Sequence, residues 1–342
     1  IFCYKIKKIL EINSYKSIHK IKQEAIEFWK KFPKKYVHEK HNNNVSGDYI
    51  YNSKNTHNSF IVADIEDSKF CAYITAGGKT TDSYDFTHYG VNTELMYDTI
   101  LSGYSYNIKF GFFTTLQSRN VEYSLFCSGS KDCFGCVGLK NKQYCILNKQ
   151  YEKVDYEAQV EKIKRHMADV PYVDKQGLIY KYGEFYPIEL SPFGYNAATS
   201  QEYFPLIKEE VIKRGYTWKE PEDKNYKLDI MSENLPDTIS GVDDTILSQV
   251  IGCEHGGECE EACMTAFKIV PNELQFYKRM NIPIPRQCSN CRYFNRNKFR
   301  NPMKLWHRKC MKSGCEIEFE TSYSPDRPDI VYCEKCYQQE VY

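Results

Sequence analysis

Residues Asn107-Ile-Lys-Phe-Gly-Phe-Phe113 and Asn120-Val-Glu-Tyr-Ser-Leu-Phe-Cys127 decide the fold. Each is a short alternating run flanked by turn residues, the pattern of a strand. Similar runs extend from about residue 46 to 148. Across this stretch Phe70, Tyr84, Tyr97, Phe110, Tyr123, Phe134 and Tyr144 recur at intervals of 14, 13, 13, 13, 11 and 10, and an Asp or Asn precedes six of the seven by two or three residues. A repeat of one strand plus one turn predicts a β-solenoid whose coils stack aromatic and small residues into an interior ladder, with turns on the edges. A β-sandwich built from the same short strands is the alternative.

The flanking sequence divides the chain into regions of different character. Segment 1–45 is read as an N-terminal helical region. In it, Ile18, Ile21, Ala25 and Phe28 or Trp29 predict an amphipathic helix over 17–32, ended by Pro33. Segment 151–250 reads as a mixed connector. It contains a helix from an Asp155 N-cap to Met167, a hairpin of 178–182 and 184–190 turned at Gly183, and a short helix over 206–214. An exposed linker over 219–243, rich in Glu, Asp, Lys and Pro, completes it. Segments 251–304 and 305–342 read as two small zinc modules.

The cysteine pairs carry that last reading. Cys259-x3-Cys263, Cys288-x2-Cys291, Cys310-x4-Cys315 and Cys333-x2-Cys336 fall within 78 residues. Two thiolates on one turn share a zinc ion, and a second turn completes the tetrahedron. Neighbours taken in order place Cys259, Cys263, Cys288 and Cys291 on one Zn2+ and Cys310, Cys315, Cys333 and Cys336 on another. An interleaved pairing needs a more tangled chain, and Cys253 and His255 stand close enough to substitute in the first set. A secreted disulfide framework fits poorly with 342 residues, an odd fifteen cysteines and no signal-like apolar start. Closed sites of this kind serve folding rather than catalysis.

Composition adds limits. With 42% hydrophobic residues and a net charge of +1, the chain reads as globular, and its overall charge makes no case for nucleic acid or membrane. No stretch has the length of a membrane span, so the expectation is a soluble cytoplasmic protein with reduced thiols. Its first residue, Ile1, reads as the start of a fragment or a processed chain.

Charge is nevertheless clustered. From Leu274 to Cys315 there is no Asp or Glu, while Lys278, Arg279, Arg286, Arg292, Arg296, Lys298, Arg300, Lys304, Arg308, Lys309 and Lys312 supply eleven positive charges. Tyr293, Phe294, Phe299 and Trp306 are interleaved with them. Cations for phosphate and aromatic faces for stacked bases are what single-stranded RNA or DNA requires. The expected contacts are Arg292, Arg296, Arg300, Lys304 and Arg308 to phosphate, with Tyr293 and Trp306 stacking. The competing readings are that these groups form the core and solubilising face of a zinc domain, that the solenoid face binds a protein partner while the zinc is structural, or that an enzyme site lies among Glu184, Glu189 and Tyr195.

Other motifs weigh less. Cys133-x2-Cys136, with Cys127 and Cys145, lacks the helix N-terminus of a redox site and reads as buried solenoid cysteine, with a third zinc site as the alternative. Gly77-Gly-Lys-Thr80 lacks the first glycine of a phosphate loop and reads as a turn. His38 and His41 read as solvated.

Residues Cys259-x3-Cys263-x3-Phe267-Lys-Ile269-x3-Glu273-x2-Phe276-Tyr277, followed by Pro283-x-Pro285-x2-Cys288-x2-Cys291-Arg292, resemble the "probable zinc-ribbon" domain of many bacterial proteins, which usually opens with Cys-x2-Cys. Phe134-Gly-Cys-Val-Gly-Leu-Lys140 onward, Leu190-Ser-Pro-Phe-Gly-Tyr-Asn196 and Arg300-Asn-Pro-x-Lys-Leu-Trp-x-Arg-Lys-Cys310 resemble zinc-ribbon proteins of candidate-phyla bacteria. The resemblance implies treble-clef-like or zinc-ribbon modules in a cytoplasmic bacterial protein, and no particular activity.

Overall fold

The computed structural model describes residues 13–220, 226–259 and 262–341. Ile1, on which the reading of a fragment rests, lies outside the described residues. The chain falls into two compact units. One joins Lys34–Pro192, Met303–Arg327 and Val331–Tyr342; the other joins Ile1–Pro33, Phe193–Pro302 and Pro328–Ile330. The five expected segments are thus regrouped, with the second cysteine module closing onto the same unit as the repeats.

The repeats form a β-solenoid of about nine turns, and its working period is three residues. In each triplet one side chain points in, the next points out, and the third turns the chain in the left-handed region: Asn52, Asn55, Asn58, Ile61, Asp64, Asp67, Phe70 and Tyr73 all have φ between 47° and 57°. Four such corners return the chain to its starting point after 12 residues, as in the parallel register Lys54↔Glu66 and Arg119↔Lys131. Some turns take one residue more, as in Tyr84↔Tyr97. A non-glycine residue in this region costs about 1–2 kcal/mol, least for Asn and Asp, whose short side chains bond locally. At one corner these side chains also bond to one another between coils: Asn44 donates to Asn55 (3.0 Å) and Asn55 to Asp67 (2.8 Å), then Asn107 donates to Asn120 and Asn120 to Asp132, both at 2.9 Å. Gly47, with φ 136°, lies where an added Cβ would sit 1.8 Å from the Ser59 carbonyl oxygen, so no other residue fits there.

The interior is fine-grained, built mostly of small and branched side chains. Ile50, Val62, Ile65, Cys71, Ile74, Met96, Ile108, Val121, Cys127, Cys133, Cys136 and Cys145 form the core with Phe86. Buried Ser and Thr fill most remaining inward positions. Many of their polar atoms are satisfied by a repeated local bond, in which the inward hydroxyl donates to the carbonyl two residues back: Ser59 to His57, Ser68 to Glu66, Ser124 to Glu122; Ser102 Oγ and Thr114 Oγ1 are buried without a hydrogen-bond partner. Cysteine does the same, Cys133 to Lys131 at 3.2 Å and Cys136 to Phe134 at 3.4 Å. This is why five cysteines, Cys71, Cys127, Cys133, Cys136 and Cys145, can lie fully inside without a metal or a redox role being needed to explain them.

The expected interior aromatic ladder is corrected on this point. Most of its members face outward; Phe70, Tyr84 and Tyr97 are exposed. Tyr97, Phe110, Tyr123 and Phe134 do follow one another, with ring centroids 5.5, 4.4 and 5.5 Å apart, but on the outer wall. There helix Lys153–Asp169 covers part of the stack with Val160, Ile163 and Met167. The helix starts earlier than the expected Asp155 cap: its N-cap is Glu152, and Asp155 lies in its first turn. Lys164 pairs with Glu122 at 2.9 Å, and Tyr182 donates to the same carboxylate at 2.8 Å. The solenoid ends at Gln143–Ile146, where Lys149–Gln150 returns antiparallel.

Two more local expectations are corrected. The hairpin pairs Tyr172–Val173 with Ile179–Tyr180 and turns at Gly177 (φ 83°), because the Asp174 carboxylate accepts from the N–H groups of Gln176 and Leu178, both at 2.9 Å. Beyond Gly183, Pro187 precedes a 3-10 turn over Ile188–Leu190 instead of a strand. The described part of 219–243 is no free linker: Leu235, Ile239 and Val242 are buried with Ile246, Ile251, Ile269, Leu274, Tyr277 and Ile284 as the core of the second unit. Arg286, 7% exposed, ties that segment down by donating to the carbonyls of Ser232 (2.6 Å), Leu235 (2.8 Å) and Pro236 (3.0 Å). Helix Tyr15–Trp29 of this unit is capped by Ser14, whose hydroxyl accepts from the Ser17 N–H and donates to Asp237. The short helix expected over 206–214 is Lys208–Lys213.

Candidate metal centres

In the first centre, strand Ala266–Phe267 pairs with Ile251–Gly252, which sets Cys253 and Cys263 side by side. Helix Pro271–Met280 and the Pro283–Pro285 arm then bring in Cys288, the N-cap of helix Ser289–Asn297, and Cys291 in its first turn. Cys253, Cys263, Cys288 and Cys291 are all buried, and their sulfurs lie within 4.8 Å of one another. Measured edges are 3.9 Å for Cys253–Cys291, 4.0 Å for Cys263–Cys288 and 3.5 Å for Cys288–Cys291. A tetrahedral ion with metal–sulfur bonds near 2.3 Å has sulfur–sulfur edges of about 3.8 Å, so this donor set fits one. The sequence grouping put Cys259 in this set. The structure places Cys253 there, the substitution left open by the sequence, and sets Cys259 3.7 Å from Cys291, in a second group with His255.

Backbone N–H groups point at the sulfurs: Met264 to Cys288 at 3.4 Å, Thr265 to Cys263 at 3.3 Å and Cys288 to Cys253 at 3.3 Å. Burial alone pushes the Cys288 thiol up, yet the backbone N–H groups of Cys291 and Met264 and the neighbouring thiols draw it below its ordinary value. Metal binding requires thiolates; this environment favours that form at Cys288, whereas burial pushes Cys253 up to about 11 and pushes Cys291 up as well.

The second centre lies in the solenoid's unit. Strand Trp306–Lys309 pairs antiparallel with Glu318–Thr321, and the loop between them carries Cys310 and Cys315. Val331–Tyr332 pairs parallel with Lys34–Lys35 and leads into Cys333, then helix Glu334–Val341 carrying Cys336. These four sulfurs also lie within 4.8 Å of one another, with Cys315–Cys333 at 3.9 Å. Both groups of four are able to hold a metal ion.

Beside this centre is a buried polar cluster that sequence reading missed. Asp48, 1% exposed, accepts from the His38 N–H at 2.7 Å, from the Tyr49 N–H at 2.9 Å, from His38 Nδ1 at 3.1 Å and from the Ser322 hydroxyl. Tyr323 Oη stands 3.4 Å from His38 Nε2, and the His38 ring stacks on Tyr49 at 4.3 Å. The expectation that His38 is solvated is corrected accordingly. Only the pairing of residues 38 and 48 with 322 creates this site, so no local motif announces it.

The basic run is largely engaged within the fold. Lys278 meets Asp244 at 2.7 Å, Arg292 lies 3.8 Å from Glu273 and 3.4 Å from Tyr277 Oη, and Arg300 pairs with Glu202 at 3.0 Å. Arg308 donates to the carbonyls of Tyr323 and Ser324, while Lys309 and Lys312 meet Glu316 and Glu340. Arg296 lies over the Tyr293 ring at 5.9 Å, and Lys304 over Trp306 at 5.1 Å. Arg292, Tyr293, Arg296 and Arg300 belong to one unit, Lys304, Trp306 and Arg308 to the other. Glu189 accepts from Tyr172 Oη and from the Lys175 N–H, the Glu184 carbonyl accepts from Tyr123, and Tyr195 of the other unit donates to the Phe204 carbonyl. Gly77–Lys79 is a loop that runs into strand Thr80–Thr81, with no helix behind it.

One outward column of the solenoid is apolar. Ile100, Phe112, Leu125 and Val137 stack in register, and beside them Phe113 and Phe126 are exposed, as is Leu116. Among the described residues no helix is long and apolar enough to cross a membrane. No protein-family model matches the chain, and no curated protein matches it.

Proposed function

We propose that the protein is a metal-stabilised scaffold that binds a protein partner on the solenoid. The observation that carries this reading is the apolar column of half-buried Ile100, Phe112 and Leu125 and exposed Val137, with exposed Phe113 and Phe126 beside it. Contiguous exposed apolar surface marks an interaction site, and burying a Phe side chain contributes about 1.5–3 kcal/mol. In this reading the two four-cysteine groups bind zinc and hold loops in place; closed thiolate sites of this kind have no position for substrate.

A second reading, binding of RNA or single-stranded DNA, is favoured by the two cation–aromatic pairs Arg296–Tyr293 and Lys304–Trp306, each suited to a phosphate and a stacked base. Two variants of the full chain separate the readings. Phe113→Asp with Phe126→Asp abolishes capture of the protein partner under the first and leaves nucleic-acid binding intact under the second. Arg296→Glu with Lys304→Glu removes salt-sensitive binding to generic single-stranded RNA and DNA only under the second. A partner retained in full by the Phe113/Phe126 variant overturns the scaffold reading.

A further inference from the structure

The first cysteine centre contains more ligands than one ion uses. Around Cys291 stand Cys288 at 3.5 Å, Cys259 at 3.7 Å and Cys253 at 3.9 Å. Cys259 is not part of the four-sulfur group; with His255 and Cys291 it forms a group of its own, whose ligand atoms also lie within 4.8 Å of one another. The Cys259–Cys291 separation matches the edge of a tetrahedral thiolate site, about 3.8 Å. Cys291 belongs to both groups.

The chain is shaped to put these residues there. Between Cys253 and Cys259 the backbone closes two consecutive tight turns: the Gly256 N–H donates to the Cys253 carbonyl and the Glu258 N–H to the His255 carbonyl, both at 2.8 Å. Gly256 and Gly257 take φ of 57° and 95°, values that side chains rarely adopt. The result is that His255 and Cys259 return to the Cys291 side of the four-sulfur group. Gln287, one residue before Cys288, contacts His255 Nε2 at 3.3 Å and donates to Glu254 at 2.8 Å.

We propose that this module binds two divalent ions of the zinc class: one held by Cys253, Cys263, Cys288 and Cys291, the second by His255, Cys259 and the shared Cys291. Three protein ligands leave the second ion with a position for water or an external ligand, as in exchangeable zinc sites and unlike the closed four-cysteine sites. With the Cys310, Cys315, Cys333 and Cys336 centre, the chain then carries three ions.

Native mass spectrometry of the full chain, produced in zinc-supplemented medium and checked by elemental analysis, tests the count. Three ions per chain are expected, falling to two in His255→Ala and in Cys259→Ser, with one of the three passing to a competing chelator ahead of the others. Cobalt substitution gives a second readout that does not depend on the variants: spin coupling through the Cys291 sulfur reduces the paramagnetic signal per cobalt in the wild type relative to His255→Ala. A wild-type chain saturated at two ions overturns the proposal. So does a third ion that both variants retain.

Discussion

Asp48 and Ser322 stand 274 positions apart in the sequence, yet the serine hydroxyl donates to the aspartate inside a site where both are 1% exposed. The bond joins the first coils of the solenoid to the residue just past strand Glu318–Thr321, whose partner strand Trp306–Lys309 leads into Cys310. Ser322→Ala leaves a buried carboxylate with one donor fewer, which costs about 1–3 kcal/mol. Denaturant unfolding should show that loss. An unchanged midpoint would mean that the contact is incidental.

Two carboxylates give the unit opposing pH dependences. Burial alone would push Asp48 up, but hydrogen bonds from His38 and Ser322 outweigh it and hold the carboxyl below its ordinary value. The stability Asp48 contributes is therefore present above the unfolded value, about 3.9, and is lost as pH falls through its lower folded value. Asp98 is the reverse case: burial first, then the nearby charges of Asp85 and Glu184, raise it to about 6. Its ionised form disfavours folding at pH 7, and stability is regained as pH falls from about 6 toward 4. Asp98→Asn should stabilise the protein at neutral pH and show little advantage below pH 4. Thermal melts of wild type and variant across pH 3–8 compare the two.

Removing metal should not erase the solenoid. Its core holds Ile, Val, Met, Ser, Thr and Cys side chains, many of whose polar atoms bond internally, as at Ser124 and Cys133, whereas the cysteine centres depend on their ions to the extent seen in small zinc domains. Chelation at neutral pH should change Trp306 fluorescence, because its strand leads into Cys310, while the β-sheet circular dichroism persists. Simultaneous loss of both signals would show that the coils need the metal.

The solenoid interior makes a sharper test. Cys136→Ser keeps a small donor facing the Phe134 carbonyl and should alter stability little. Ser124→Ala removes both a bond to Glu122 and the acceptor of the Cys136 N–H at 3.0 Å, a loss of about 1–3 kcal/mol. Cys136→Phe overfills the coil, at a similar or greater cost. Equilibrium unfolding of the three variants ranks them, and an equal loss in Ser and Phe variants would contradict the packing described.

Sequence reading reached the solenoid through its coil length and found both cysteine clusters. It misread which side chains fill the coil. The aromatic residues were the conspicuous signal, but Ser53, Thr56, Ser59, Val62 and Ile65 carry the inward triplet period, and a period of three belongs neither to a helix nor to a flat strand. Leu235, Ile239 and Val242 were hidden in a charged segment that looks like a linker until Leu274 and Ile284 are placed against it. The Asp48–His38–Ser322 cluster and the position of Cys253 depend on contacts between distant segments, to which local spacing is blind.

The antiparallel return of Lys149–Gln150 has a consequence for the molecule in a crowd. Along the solenoid, each coil lies parallel to the one before it, so a bare final coil would offer incoming chains a template in the same sense, the geometry by which strands add to growing fibrils. Reversing the last strand and laying helix Lys153–Asp169 beside it breaks that template. At this end the repeat therefore has a terminus written into its own chain, and the last parallel rung is not presented bare to an incoming strand.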